Sequence, residues 1–352
     1  MTGMANIKDV ARLAGVSIAT VSHVTRGTKF VSEPLRKRVY DAIEALGYEV
    51  NPVASGLKSK NTRVIGIVLS NLNSVFFPPV VRGIEDVVSK RGYRLTFCNT
   101  DFSDTREREV VRMLRGSWID GIILDSVADF KNTEYVRFLA RLGGPKKRIP
   151  VVSLERKVDR APILSVRIDN YEGSRLAVRH LVACGCRRLV HIAGPAFCSM
   201  ANDRLCGFKD QVQQAGLTVG PKAIAKGDFS PERGYAAMQQ LLHDNPDLDG
   251  VLSANDQMAI GALKVLAEQG RRVPDNVKIV GFDNIFVSSL VEPPLTTIDV
   301  PRYEMGRAAA ELLLERLADP EAKLQDVLLP IRLVVRRSTV STARTEWDLQ
   351  SW

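Results

Sequence analysis

Seven short apolar runs recur along this chain, RVIGIVLS, YRLTFCNT, DGIILDS, PVVSLE, RLVHIAG, DGVLSAN and KIVGFD, spread over residues 63–283. Each is strand-length, bounded by turn residues, and apolar at consecutive positions. A strand of that kind needs cover on both faces, which helices on either side of a parallel sheet provide. Amphipathic stretches of helical period lie between the runs at 78–91, 104–115, 172–184, 204–215, 231–243 and 257–269. The alternation predicts an α/β fold, with enough strands for two doubly wound parallel sheets. Ligands of such folds sit beyond the carboxyl ends of the strands. Asn73 and Phe77, Arg156, Asp169, Asn255 and Asp256, and Asp283 stand at or just past those ends. Carboxylates and Asn suit sugar hydroxyls, Arg suits a hydroxyl or an anion, and Phe offers a stacking face. Asp169, Asp256 and Asp283 also precede candidate helices or turns, where capping alone explains an Asp.

At 352 residues, with 45% apolar and 25% charged side chains, the chain has room for two or three domains of ordinary globular character. No stretch approaches the ~20 uninterrupted apolar residues of a membrane helix. The start, MTGMANIKDV, lacks the apolar core of a secretory signal. Cysteines 98, 184, 186, 198 and 206 are an odd, scattered set that suits a reducing compartment. The expectation is a cytoplasmic protein. Enzyme motifs are missing: no G-x-S-x-G elbow is present, GPAFCSMAND has no Gly-Lys-Ser, and Cys184-x-Cys186 has no paired knuckle for zinc. Neither catalysis, a cofactor nor a metal is expected.

The first 62 residues hold nine Lys or Arg and five acids, a net +4 out of +9 for the whole chain. That density suits a polyanion. Asn6 with Asp9 predicts a helix start, after which Ile7, Val10, Ala11 and Ala14 share a face and Gly15 ends it. Ser17 can cap a second helix with Val21 and Val24 inward. Ser32 and Pro34 open a third, with Leu35, Val39, Ile43 and Leu46 on one face and Gly47 as its stop. Helix, Gly turn, helix is the arrangement that lays a second helix in the DNA major groove. Ile18 and Ala19 suit thymine methyls, Thr20 and Ser22 suit phosphates, and His23 suits a purine edge. Lys29, just beyond, joins them as a DNA contact. Any three-helix bundle needs such turns, so these residues alone leave a purely structural reading open. NPVASGLKSK, residues 51–60, is either a linker or a short helix that folds on DNA. In the second case Asn51 starts it, Leu57 wedges between base steps and Lys58 flanks it.

These segments closely resemble the LacI/GalR family of bacterial transcription regulators. The resemblance runs through IKDVARLAGVSIATVSHV, VSEPLRKRVYDAIEALGY and NPVASGLKSKNTRVIGI, then RGIEDVVSKRGY, IPVVSLERKV, IDNYEGSRLAVRHL, GDFSPERGYAAMQQLL, SANDQMAIGALKVLAEQG and VPDNVKIVGFDN, from about Ile7 to Thr339. It implies a small all-α helix-turn-helix DNA-binding headpiece (5–50), a hinge helix and linker (51–62), and an effector-binding core (63–340). The core is expected to be periplasmic binding protein-like, with an N-subdomain (63–166 and 291–329), a C-subdomain (167–290 and 330–340) and three chain crossings near 166, 290 and 330. Carried over by position, Ile18, Ala19 and His23 read bases, Leu57 intercalates, and Arg204 and Phe229 join the effector contacts. His23 stands where most members have Arg, and Ser55 where Arg is common. NSVFF departs from the family's NPFF-like stretch, and FCSMAND lacks the Arg and Thr of purine-binding relatives. The expectation is a homodimeric, nucleoid-associated repressor on double-stranded, near-palindromic operator DNA, controlled by a small-molecule effector: a sugar, sugar acid or sugar phosphate. The alternative is a solute-binding protein with a non-functional headpiece. The tail, 341–352, is short and polar without apolar heptads.

Overall fold

The computed structural model describes residues 5–26, 29–48, 62–116, 119–128, 130, 132–142, 149–158, 161 and 163–344. The expectations for Asn51, Leu57 and Lys58, for the hinge helix that holds them, and for the tail beyond Arg344 lie outside those residues. The chain divides into two compact units, Met1–Thr62 and Arg63–Trp352.

The first unit contains helices α1 (Ile7–Ala14), α2 (Ile18–Arg26) and α3 (Glu33–Leu46). Asn6 and Asp9 form a reciprocal cap: Asn6 Oδ1 accepts from the Lys8 and Asp9 amides, and Asp9 Oδ2 accepts from the Asn6 amide. Gly15 closes α1 at φ +63°, and a Cβ there would stand 2.4 Å from Arg38 Nη2. That guanidinium donates to the Ala14 and Gly15 carbonyls, so it closes the helix end from α3. Ser17 Oγ accepts from the Thr20 amide at 3.0 Å and starts α2. Ser32 does not use its side chain as a cap. Its carbonyl accepts from the Leu35 and Arg36 amides while Pro34 fixes the first turn. Val10, Ala14, Val21, Val24, Val39 and Ala42 meet in the shared core. Three amphipathic helices, each too short to stand alone, thereby bury one common face.

The second unit has two six-stranded sheets. The first is ordered β11-β5-β4-β3-β1-β2, from β1 (Val64–Leu69), β2 (Arg94–Asn99), β3 (Gly121–Leu124), β4 (Val151–Leu154), β5 (Leu164–Ile168) and β11 (Val327–Leu329). The second is ordered β12-β10-β9-β8-β6-β7, from β6 (Leu189–Ala193), β7 (Ile224–Lys226), β8 (Gly250–Ser253), β9 (Lys278–Asp283), β10 (Thr296–Asp299) and β12 (Arg332–Val334). All ladders are parallel except β12 against β10. The seven apolar runs are β1–β4, β6, β8 and β9.

Helices α4 (Phe77–Val88), α5 (Asp104–Gly116), α6 (Thr133–Ala140), α7 (Asn170–Ala183), α8 (Ser199–Gln214), α9 (Pro231–Asp244), α10 (Asp256–Glu268) and α11 (Arg302–Ala318) flank the sheets. Asn132, Asp169, Ser230 and Asn255 cap the helices that follow them. Three helix pairs pack backbone to backbone, one of them α7 with α8, where a Cβ on Gly207 would lie 2.2 Å from the Tyr171 carbonyl oxygen. A Cβ on Gly306 would lie 1.9 Å from the Val80 carbonyl oxygen, and one on Gly83 2.1 Å from that of Tyr303. Gly234 and Gly261 play the same part between α9 and α10.

The chain passes between the sheets after β5, between β10 and α11, and between β11 and β12. The second passage, expected near residue 290, falls at 300–301. Residues 296–299 still pair with β9, and α11 packs against β3, β4 and β5 of the first sheet.

Candidate functional site

In each sheet the strand order reverses direction beside its first strand, between β1 and β3 and between β6 and β8. Chain connections leave to opposite faces at such a point and open a crevice beyond the strand ends. The carboxyl ends of both sheets border one cleft of about 470 Å³, within the usual size of small-molecule sites. Of the residues expected there, Asn73, Phe77, Arg204, Phe229, Asn255 and Asp283 line it.

Arg204, on α8, is buried and spends most of its donors inside the protein. Nε donates to Asn170 Oδ1 at 2.8 Å, and Nη1 donates to the Ala254 carbonyl and, at 3.3 Å, to Asp283 Oδ1. Its guanidinium lies 3.7 Å from the Phe282 ring centroid. Asp283 ends β9 with φ +107°, which turns its carboxyl from the sheet toward Arg204. Burial pushes that carboxyl up to about 6, against the pull of Arg204. Phe229 sits at φ +73°, and its ring takes the space that a Cβ on Gly194 would occupy. Asn255 serves two ends: Oδ1 caps α10 through the Met258 amide, and Nδ2 donates to the Phe229 carbonyl at 3.1 Å. Ser74 Oγ donates to Gln257 Oε1 at 3.2 Å, joining the loop after β1 to α10 across the cleft.

Three expected residues stand elsewhere. Arg156 donates to the Ser126 carbonyl at 3.0 Å and to that of Ala128, and lies over the Phe130 ring. The residue before it, Glu155, has φ +61°, which sends Glu155 into the cleft and Arg156 away from it. Asp169 is exposed and caps α7 by accepting from the Glu172 amide at 2.9 Å. Its neighbour Asn170 faces inward instead and links Glu155 to Arg204. Asp256 is fully buried and does not line the cleft. It accepts from the Thr297 hydroxyl at 2.6 Å and the Ile285 amide at 2.9 Å, and burial pushes it up to about 8. It ties α10 to β10 and the segment after β9.

In the first unit, α2 presents Ile18 and Ala19 to solvent, with Ser22 and His23 half-buried along the helix. Thr20 is half-buried, and its hydroxyl is 2.9 Å from Ser17 Oγ, so it serves the helix start. Lys29 is exposed, beside a Phe30 that is 94% exposed.

Two family models match the chain: bacterial regulatory proteins of the lacI family over residues 6–51, and a periplasmic binding protein-like domain over 178–339. The ribose operon repressor of Halalkalibacterium halodurans is 34% identical over 344 residues, 97% of this chain and 99% of the relative. The transcriptional repressor PurR of Aliivibrio fischeri is 35% identical over 338 residues, 95% of this chain and 98% of its own. The lac repressor dimer bound to operator and an anti-inducer superposes with a TM-score of 0.84 at 30% identity, covering 96% of this chain and 99% of that one.

The chain belongs to the lacI family of bacterial regulatory proteins. It is a DNA-binding transcriptional regulator with a helix-turn-helix unit and a periplasmic binding protein-like effector core. Among the described residues no helix is long and apolar enough to cross a membrane, and no group of three or more His, Cys, Asp or Glu is placed to hold a metal ion. For this LacI-family core, reading the sequence alone missed Asn71, Phe76, Phe102, Asp125, Glu155 and Gln257, all of which line the cleft. Asp125 ends the run DGIILD as Asp283 ends KIVGFD, so the same strand-end rule reaches it. Phe102 owes its place to a left-handed backbone at Asp101 and Phe102, which no residue type announces.

Proposed function

We propose that this chain is a homodimeric repressor of a near-palindromic operator, acting in the cytoplasm, and that its effector is a sugar or sugar derivative without net negative charge. The observation that carries the effector class is the charge of the cleft wall. Asp125, Glu155, Glu232 and Asp283 face it, against Arg204 as the one cation among the described lining residues. A sugar acid or sugar phosphate would meet like charge at short range and only the few donors Arg204 has left. Phe76, Phe77, Phe102 and Phe229 supply ring faces, while Asn71, Asn73 and Ser230 supply neutral polar groups.

The exposed Ile18 and Ala19, with Ser22, His23 and Lys29, are proposed as the DNA-reading surface of residues 5–50. Residues 51–62, with Asn51, Leu57 and Lys58, are proposed as the hinge segment that answers to the core (63–340). Effector held by both sheets favours one cleft geometry over another, and the effect on DNA affinity is reciprocal.

The test is selection of random duplexes by the purified full-length protein, followed by release with metabolite fractions. An enriched two-half-site palindrome, released or tightened by an uncharged or cationic polyol fraction, is the expected result. An effector found only among phosphates or sugar acids would overturn the effector class, and no enriched sequence with or without metabolite would overturn the repressor reading.

A further inference from the structure

The cleft wall built by the first sheet sets two carboxyl groups, Asp125 and Glu155, among the neutral polar groups of Ser70, Asn71, Asn73 and Ser74, with no cation of its own among the described lining residues. Glu155 is 7% exposed, and its Oε2 accepts from Asn170 Nδ2 at 3.3 Å. Its Oε1 is buried with no hydrogen-bond partner among the described residues, on a residue that lines the cleft. Asp125 stands on the neighbouring strand end. β3 and β4 pair with Leu124 opposite Ser153, which sets the two carboxyl-bearing turns one strand spacing apart, roughly 5 Å. Asp125 is 3% exposed and is held by the Ser70 amide at 3.1 Å. The two nearby cations make their hydrogen bonds elsewhere: Arg204 serves Asn170, Ala254 and Asp283, and Arg156 serves the Ser126 and Ala128 carbonyls. Among the described residues Asp125 and Glu155 belong to no group of three or more His, Cys, Asp or Glu placed to hold a metal ion.

Resting on the reading of the cleft as a site for a sugar derivative, we propose that the effector carries a protonated amine seated between Glu155 and Asp125, an amino sugar being the form that fits. A hydroxyl can donate only one hydrogen bond to this pair of carboxyl groups and brings no charge to offset theirs. An ammonium donates three hydrogen bonds and accepts none, which matches an orphaned carboxylate oxygen beside a second carboxylate. The polyol ring then uses the phenylalanine faces and the hydroxyl-binding groups of the opposite wall.

The experiment is calorimetric titration of the full-length protein with D-glucosamine, D-galactosamine and D-mannosamine. Each is compared with its parent hexose and its N-acetylated form, which keep the ring and lose the charge. At least one amine is expected to bind at least tenfold more tightly than both uncharged partners. Glu155→Gln and Asp125→Asn should each erase most of that preference, and if one variant fails to melt cooperatively the other carries the test. A hexose that binds as tightly as its amine overturns the proposal. Failure of every amine to bind, or an amine preference that survives both substitutions, overturns it too. Operator release by a metabolite extract is measured in parallel. Release without amine preference sinks the amine alone, whereas no release by any extract counts against the effector reading itself.

Discussion

Arg204 and Asp283 meet inside the cleft at 3.3 Å, with side chains only 3% and 9% exposed. Their value lies in being broken together or not at all. Removing one partner of a buried pair strands the other charge at a cost of about 3–5 kcal/mol. Arg204→Leu should therefore lower urea stability by roughly that amount, since it also strands Asn170 and the Ala254 carbonyl. Adding Asp283→Asn should recover part of the loss. A single-variant loss below about 1 kcal/mol would show that water reaches Asp283 and that the pair is not sealed.

Asp256 gives the core a pH signature. Burial raises its carboxyl from the ordinary ~3.9 to about 8. The folded chain thus holds a proton that the unfolded chain has lost between those values. Stability is fully present below about pH 4 and falls as pH rises toward 8. Asp256→Asn imitates the protonated form, with its amide facing Thr297 Oγ and its oxygen still accepting from the Ile285 amide. Urea midpoints of the variant should decline less between pH 6 and 8.5 than those of the wild type. Parallel curves would mean that Asp256 is ionised in the fold.

The fold was legible because its signal is carried by composition over many residues. Consecutive apolar positions in β1, β3 and β9 report burial on both faces, and nothing else at that length does. The strands left unread, such as Ile224–Lys226 and Val327–Leu329, are three-residue edge pieces paired on one side, where little apolar surface is needed. The site was legible only to the resolution of a strand end. At PVVSLER the sequence brings Glu155 and Arg156 to the same edge, and a single left-handed backbone angle decides which of them faces the cleft. At Asp169 and Asn170 the choice between cap and inward residue is again one position wide. Backbone reversals of this kind are set by tertiary packing, so residue type does not reveal them.

The α4–α11 contact offers a test of packing. Gly306 places its α carbon so close to α4 that an added Cβ would overlap the Val80 carbonyl oxygen at 1.9 Å. The listener is backbone, not a side chain that can rotate, so the two helices must separate. Gly306→Ala gains up to ~1 kcal/mol of helix propensity but should lose about 1–3 kcal/mol to overpacking. The net expected result is a lower thermal midpoint of the full chain, with Gly83→Ala behaving alike because its Cβ meets the Tyr303 carbonyl at 2.1 Å. An unchanged midpoint in both would mean that α4 and α11 slide apart freely.

Ile18 and Lys29 should fail in different ways on DNA. Ile18, the first residue of α2, is 39% exposed and offers an apolar surface to a base edge. Ile18→Ala should change which bases are enriched at one position of each half-site, costing about 1–3 kcal/mol on the wild-type operator. Lys29 is exposed beyond α2 and suits a phosphate, so Lys29→Ala should weaken all sequences alike and reduce the salt slope by about 1 per headpiece. Affinities of both variants on selected and scrambled duplexes, each at several salt concentrations, separate the two effects. Equal weakening of selected and scrambled DNA by Ile18→Ala would remove it from the base-reading surface and leave only backbone contact for the start of α2.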